Sequence, residues 1–149
     1  MKKNSENTSA FLIHLSAFAN YIFPFGGIIV PLILWQTKKS ESNYLDEQGK
    51  EVVNFNISYL LYQFVFATIS VLIVIFSFFK HIPFLEHLEH LDSINFEAFI
   101  EERHFIIPLF IFSICGFFAT LKFILIITGA LKAHKGEKYA YPFTISFIK

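Results

Sequence analysis

From Val52 to Phe79 the chain runs for twenty-eight residues without a charge, and most of them are Leu, Ile, Val or Phe. About 20 apolar residues carry a helix across the hydrocarbon core of a bilayer. A helix on the surface of a water-soluble domain keeps one polar face, and this run leaves no room for one. The stretch therefore sets the solvent. An all-α integral membrane protein is expected, with the lipid bilayer as its first partner.

Composition agrees. The chain is 54% hydrophobic and 16% charged, with 21 Phe and a mean hydropathy of +0.54. One domain is expected at 149 residues. Lys and Arg total 12, as do Asp and Glu, so no net charge draws nucleic acid, and none is expected as a partner. The lone cysteine, Cys115, excludes an internal disulfide and a cysteine-rich metal site. Inside an apolar run it reads as a small packing residue. The segment behind the N-terminal MKKNSENTSA lacks a small-residue cleavage site and is expected to be retained.

Three apolar blocks stand out: Phe11 to Trp35, Val52 to Phe79 and Phe105 to Leu131. They divide the chain into a broken hydrophobic hairpin over 10–37, a transmembrane helix over 52–79, an outer acidic connector over 80–104, a second transmembrane helix over 105–131 and a basic cytoplasmic tail over 132–149.

The first block differs from the others. Pro24-Phe25-Gly26-Gly27 sits at its centre and Pro31 follows. Proline removes a helix hydrogen bond, and Gly costs roughly 1 kcal/mol in a helix interior. Two readings compete: a single kinked span, or two short helices, Ala10–Phe23 and Ile28–Thr37, folded back as a re-entrant hairpin. Each arm would be about 15–20 Å long, too short to cross alone.

Charge placement favours the hairpin. Basic residues gather in cytoplasmic segments. With a hairpin, Lys2, Lys3, Lys38, Lys39, Lys50, Lys132, Lys135, Lys138 and Lys149 share one side, against only Lys80 and Arg103 in the acidic connector. With a single span, Lys2 and Lys3 move to the poorer side. Either way the expected location is the bacterial cytoplasmic (inner) membrane, multi-pass, with the C-terminus cytoplasmic. In the outer connector, Phe84, Leu88 and Leu91 suggest a short amphipathic extracytoplasmic segment.

Polar residues inside the second block carry the most information. Asn54, Ser58 and Tyr62 form a stripe at i, i+4, i+8; Asn56, Tyr59 and Gln63 form a second stripe around the helix. Burying an amide without a partner costs several kcal/mol. Two polar faces imply a helix contacted on two sides, either by interhelical hydrogen bonds or along a polar path. Lys122 is the one charged side chain deep in an apolar block, where charge is expensive. Either it snorkels to the interface, or antiparallel packing sets it beside Ser58, Tyr59, Tyr62 and Gln63. Ser113, Gly116 and Thr120 put small residues on one face of the third block.

Catalysis finds little support. His87 and His90 fall short of the three or four ligands a zinc site needs, and His14 reads as a helix-contact residue. No catalytic triad, intramembrane carboxylate pair, HExxH or phosphate loop is present. No enzyme, cofactor or metal is expected.

The stretch "HLSAFANYIFPFGGIIVPLILW" followed by "YLDEQGKEVVNFNISYLLY" resembles an uncharacterised bacterial membrane family. That family is distantly related to the chloroplast import translocon subunit Tic-twenty. The resemblance rests on His14-Leu15-Ser16, Pro24, Gly27, Pro31, Trp35, Asp46-Glu47, Gly49-Lys50-Glu51 and Asn54-Phe55. It implies a small helical membrane domain with both termini on one side. In physical terms, Asp46 reads as a cap of the second helix, and Lys50 as a partner for headgroups or a carboxylate. The expected function is a non-enzymatic accessory or structural subunit of a larger membrane complex, partnered by other membrane subunits or by itself. The alternative is a Tic-twenty-like transport or protein-translocation component.

Overall fold

The computed structural model describes residues 2–79 and 103–149. The amphipathic segment read around Phe84 to Leu91, the His87/His90 pair and nearly all of the acidic connector lie outside the described residues. Among the described residues the chain is helical and has no strand. Helix α1 (Lys2–Ser16) tightens into a 3₁₀ helix (Ala17–Tyr21). Then follow α2 (Gly26–Lys38), α3 (Asn43–Phe79) and α4 (Arg103–His134), and a non-helical tail.

The first apolar block is broken, and α2 packs back against the 3₁₀ helix and α1. The reversal falls at residues 22–25, where Phe25 takes φ 62°. Gly26 and Gly27 do not make the bend. They open α2, both buried, and their missing side chains let backbones meet. A Cβ on Gly26 would overlap the carbonyl of Ala19, and one on Gly27 would come within 2.9 Å of the Ala17 carbonyl oxygen. Pro31 is buried within α2.

Helix α3 begins well ahead of the apolar run, at Asn43. Its cap is Ser42, whose Oγ accepts the Leu45 N–H at 3.3 Å. Asp46, expected as the cap, lies one turn further in and is bound elsewhere.

The chain forms two compact units, residues 1–62 with 120–149, and residues 63–119. The first has a core of Ala10, Ile13, Ala17, Leu45, Val52, Phe55, Tyr59, Ile126, Ala133 and Tyr141. The second consists of the apolar stretches of α3 and α4. Its Phe66 and Phe118 rings meet at 6.3 Å, while Phe64, Phe76, Phe112 and Phe117 are each more than half exposed. Within the spans Asn43–Phe76 and Ile106–His134, only 6% and 11% of the most apolar window is buried. Exposed apolar surface costs about 25 cal/mol per Å² in water, so helices like these match a hydrocarbon solvent.

Candidate functional site

The first unit contains a buried polar seam between α1, α3, α4 and the tail. Residues 139–148 carry no charge, and the segment read as a basic tail is anchored there by Tyr141, which is 4% exposed. Its ring stacks on Phe55 with centroids 4.0 Å apart and an angle of 11°. Its hydroxyl lies 2.7 Å from His14 Nδ1. His14 Nε2 lies 3.1 Å from Gln48 Oε1, which also accepts the Tyr139 N–H at 3.2 Å. His14 and Gln48 are both fully enclosed. Burial holds the His14 imidazole neutral and lowers its pKa to about 4, against a smaller opposing effect of the Gln48 hydrogen bond. Burial also raises the Tyr141 phenol well above its ordinary value, and the Glu51 carboxylate adds to the shift.

An extended tail has no ladder to satisfy its backbone, and a buried N–H or C=O needs a partner. The stripe along α3 supplies them. Asn54 exchanges two hydrogen bonds with the backbone of Ile148, each 2.9 Å. Ser58 Oγ accepts the Ile145 N–H at 2.8 Å and donates to the Asn54 carbonyl. Tyr62 donates to the Phe143 carbonyl at 2.9 Å. The stripe expected to face another helix thus holds a non-helical strap.

The second stripe divides. Asn56 and Tyr59 are buried; Gln63 is exposed, in the second unit. Asn56 Nδ2 donates to the Val52 carbonyl, while its Oδ1 lies near Gly27. Lys122 is 4% exposed rather than extended to an interface. Its ammonium sits over the Tyr59 ring, 4.5 Å from the centroid.

A third cluster joins α2 to α3. Trp35 Nε1–H donates to Asp46 Oδ1 at 2.9 Å, and Lys50 meets Asp46 Oδ2 at 2.6 Å. The Trp35 side chain lies so close to Gly49 that any Cβ there would overlap it. Pro24 is exposed in the reversal. Lys138 pairs with Glu47.

Gln48, Gly129, Tyr139 and Tyr141 were missed by the sequence reading, which named Gly49 only as part of the family resemblance. Gly129 belongs to the seam because a Cβ there would stand 2.7 Å from both His14 Nδ1 and the Tyr141 hydroxyl. The aromatic run Tyr139-Ala140-Tyr141-Pro142-Phe143 was the available signal, since a solvated tail has no use for it. Among the described residues no group of three or more His, Cys, Asp or Glu is placed to hold a metal ion.

Two helices with long, exposed apolar stretches, and a unit whose polar groups tie its own chain together, define a small helical membrane protein. The chain belongs to the magnetosome magnetite crystal formation protein family (MamF/MmsF), whose family model matches residues 5–148. No curated protein and no solved structure matches it.

That membership overturns the Tic-twenty resemblance. Several of the residues that carried it hold this fold together. Gly27 permits backbone contact, and Trp35, Asp46 and Lys50 fasten α2 to α3.

Proposed function

We propose that this chain is a non-enzymatic integral protein of the magnetosome membrane, an accessory subunit of the assembly in which magnetite crystals form. The observation that carries this reading is the exposure of α3 and α4, whose most apolar windows are only 6% and 11% buried, in a chain of this family. Helices α3 and α4 cross the bilayer. The α1–α2 hairpin enters and leaves on one side, without spanning. Lys38, Lys39, Lys132, Lys135 and Lys138 then lie with both termini on the cytoplasmic side, as the distribution of basic residues favours. The polar groups of the first unit bind the chain to itself, which supports a structural rather than a catalytic role. Other membrane subunits or a second copy are its partners.

The test combines fractionation with deletion. The protein is expected to stay in magnetosome membranes through alkaline carbonate extraction, and loss of the gene is expected to change the size or number of magnetite crystals seen by electron microscopy. Release by carbonate would refute the membrane assignment. Unchanged crystals would refute the role in their formation.

A further inference from the structure

The hydrogen bonds around His14 have only one consistent direction. Gln48 Oε1 is an acceptor, so the Tyr139 N–H and the His14 Nε2 must both donate to it. With its proton on Nε2, His14 keeps Nδ1 as a bare acceptor, filled by the Tyr141 O–H at 2.7 Å. A further proton on the ring has only Nδ1 to go to. With an N–H at Nδ1, the Tyr141 oxygen can accept only by turning its own O–H away from the acceptor it had, in a space closed by the backbone at Gly129.

The neighbouring groups do not relieve that conflict. From the tail, Tyr139 and Tyr141 face the imidazole. From α3, Gln48 faces it directly, and Glu51 is engaged by the backbone N–H of Tyr141. From α4, the Lys132 ammonium lies over the Tyr139 ring at 5.4 Å and the His134 ring meets Phe11, so that side brings no carboxylate to the imidazole among the described residues. Among the described residues, α2 and the 3₁₀ helix place no charged group against His14.

We propose that His14, Gln48 and Tyr141 form a proton-operated latch on the C-terminal tail. A proton taken from water at His14 Nδ1 takes away the acceptor of the Tyr141 O–H and puts an imidazolium into the enclosed seam, where the docked tail is disfavoured. Residues 139–149 then leave α3, and Asn54, Ser58 and Tyr62 are uncovered. Burial supports the coupling: His14 binds a proton far more weakly with the tail docked than a free histidine does, so protonation and release favour each other.

The test places a nitroxide at Phe147→Cys in a Cys115→Ser background, with the full chain in lipid nanodiscs, and reads label mobility by electron paramagnetic resonance. The label is expected to be immobile at pH 7.5. Its mobile-to-immobile ratio should rise by up to about tenfold per pH unit between about 6.5 and 4. His14→Gln, which does not titrate, should remove that dependence. Tyr141→Phe keeps the ring on Phe55 while freeing Nδ1, and should move the transition to higher pH. A label that stays immobile down to pH 4, or the same profile in His14→Gln, overturns the latch. Should His14→Gln fail to fold, an unshifted profile in Tyr141→Phe overturns it.

Discussion

Asn54 grips Ile148 with both ends of its amide: Nδ2 donates to the Ile148 carbonyl and Oδ1 accepts the Ile148 N–H, each at 2.9 Å. The side chain does for the tail what an adjacent strand does in a sheet. Only an amide has donor and acceptor set in that way, so Asn54→Ala strips both partners from a backbone that has no others in a ladder. The Ile148 backbone is only part-buried, so losing the pair costs about 1 kcal/mol. Carboxypeptidase is expected to trim the variant's last residues much faster than the wild type's, with α3 still helical by circular dichroism. Equal protection of the two chains would show that the amide does not hold the tail.

Gly129 and Gly116 lie on the same helix and differ in what a methyl would meet. At Gly129 it would stand 2.7 Å from His14 Nδ1 and the Tyr141 hydroxyl, and at Gly116 nothing among the described residues lies within 4 Å. Gly129→Ala is expected to destabilise the protein by about 1–3 kcal/mol through overpacking. Gly116→Ala should be neutral or slightly stabilising, because alanine is the better helix former by roughly 1 kcal/mol. Thermal unfolding in mild detergent separates the two. Equal melting temperatures would contradict the placement of Gly129.

Lys122 offers the opposite expectation from most charged residues in a protein core. Its ammonium is buried over the Tyr59 ring, and none of the salt bridges found among the described residues includes it. Burying a charge is costly, and an apolar side chain of similar length removes that cost. Lys122→Met is therefore expected to leave the melting temperature unchanged or raise it. A drop of several degrees would show that the charge holds the fold through a partner.

Much of this fold was legible because lipid leaves few options. The length of the apolar runs, a break beside Pro24 and the chemistry of Asn54, Ser58 and Tyr62 all show in the one-dimensional pattern, although the glycines after Pro24 open α2 rather than making the bend. What the stripe holds did not show. A side-chain amide within an apolar helix reads the same whether its partner is another helix or an extended strap, since hydrogen-bonding capacity does not encode the partner's conformation. The tail was read from its lysines, which mark sidedness, while Tyr141 and its neighbours carried the packing information. Gln48 and Gly129 were hidden for another reason: each matters only through contacts that α1, α3, α4 and the tail create together.

Acidification provides the last prediction, and its sign follows from the His14 environment. The imidazole has a pKa of about 4 in the folded protein, against 6.5 for a free histidine. Between those values the unfolded chain holds a proton that the folded chain excludes, so protonation favours unfolding. The stabilising effect of a neutral, enclosed His14 is fully present above about pH 6.5 and is lost as the pH falls toward 4. At about 1.36 kcal/mol per unit, that gap corresponds to roughly 3 kcal/mol over the window. Denaturant unfolding in detergent should show this decline, and His14→Gln should flatten it. Because Gln can donate to Gln48 and accept from Tyr141, the variant separates the loss of a titrating proton from the loss of hydrogen bonds. A variant that declines as steeply as the wild type would assign the acid sensitivity instead to a carboxylate held below its ordinary range, such as Asp46 beside Lys50.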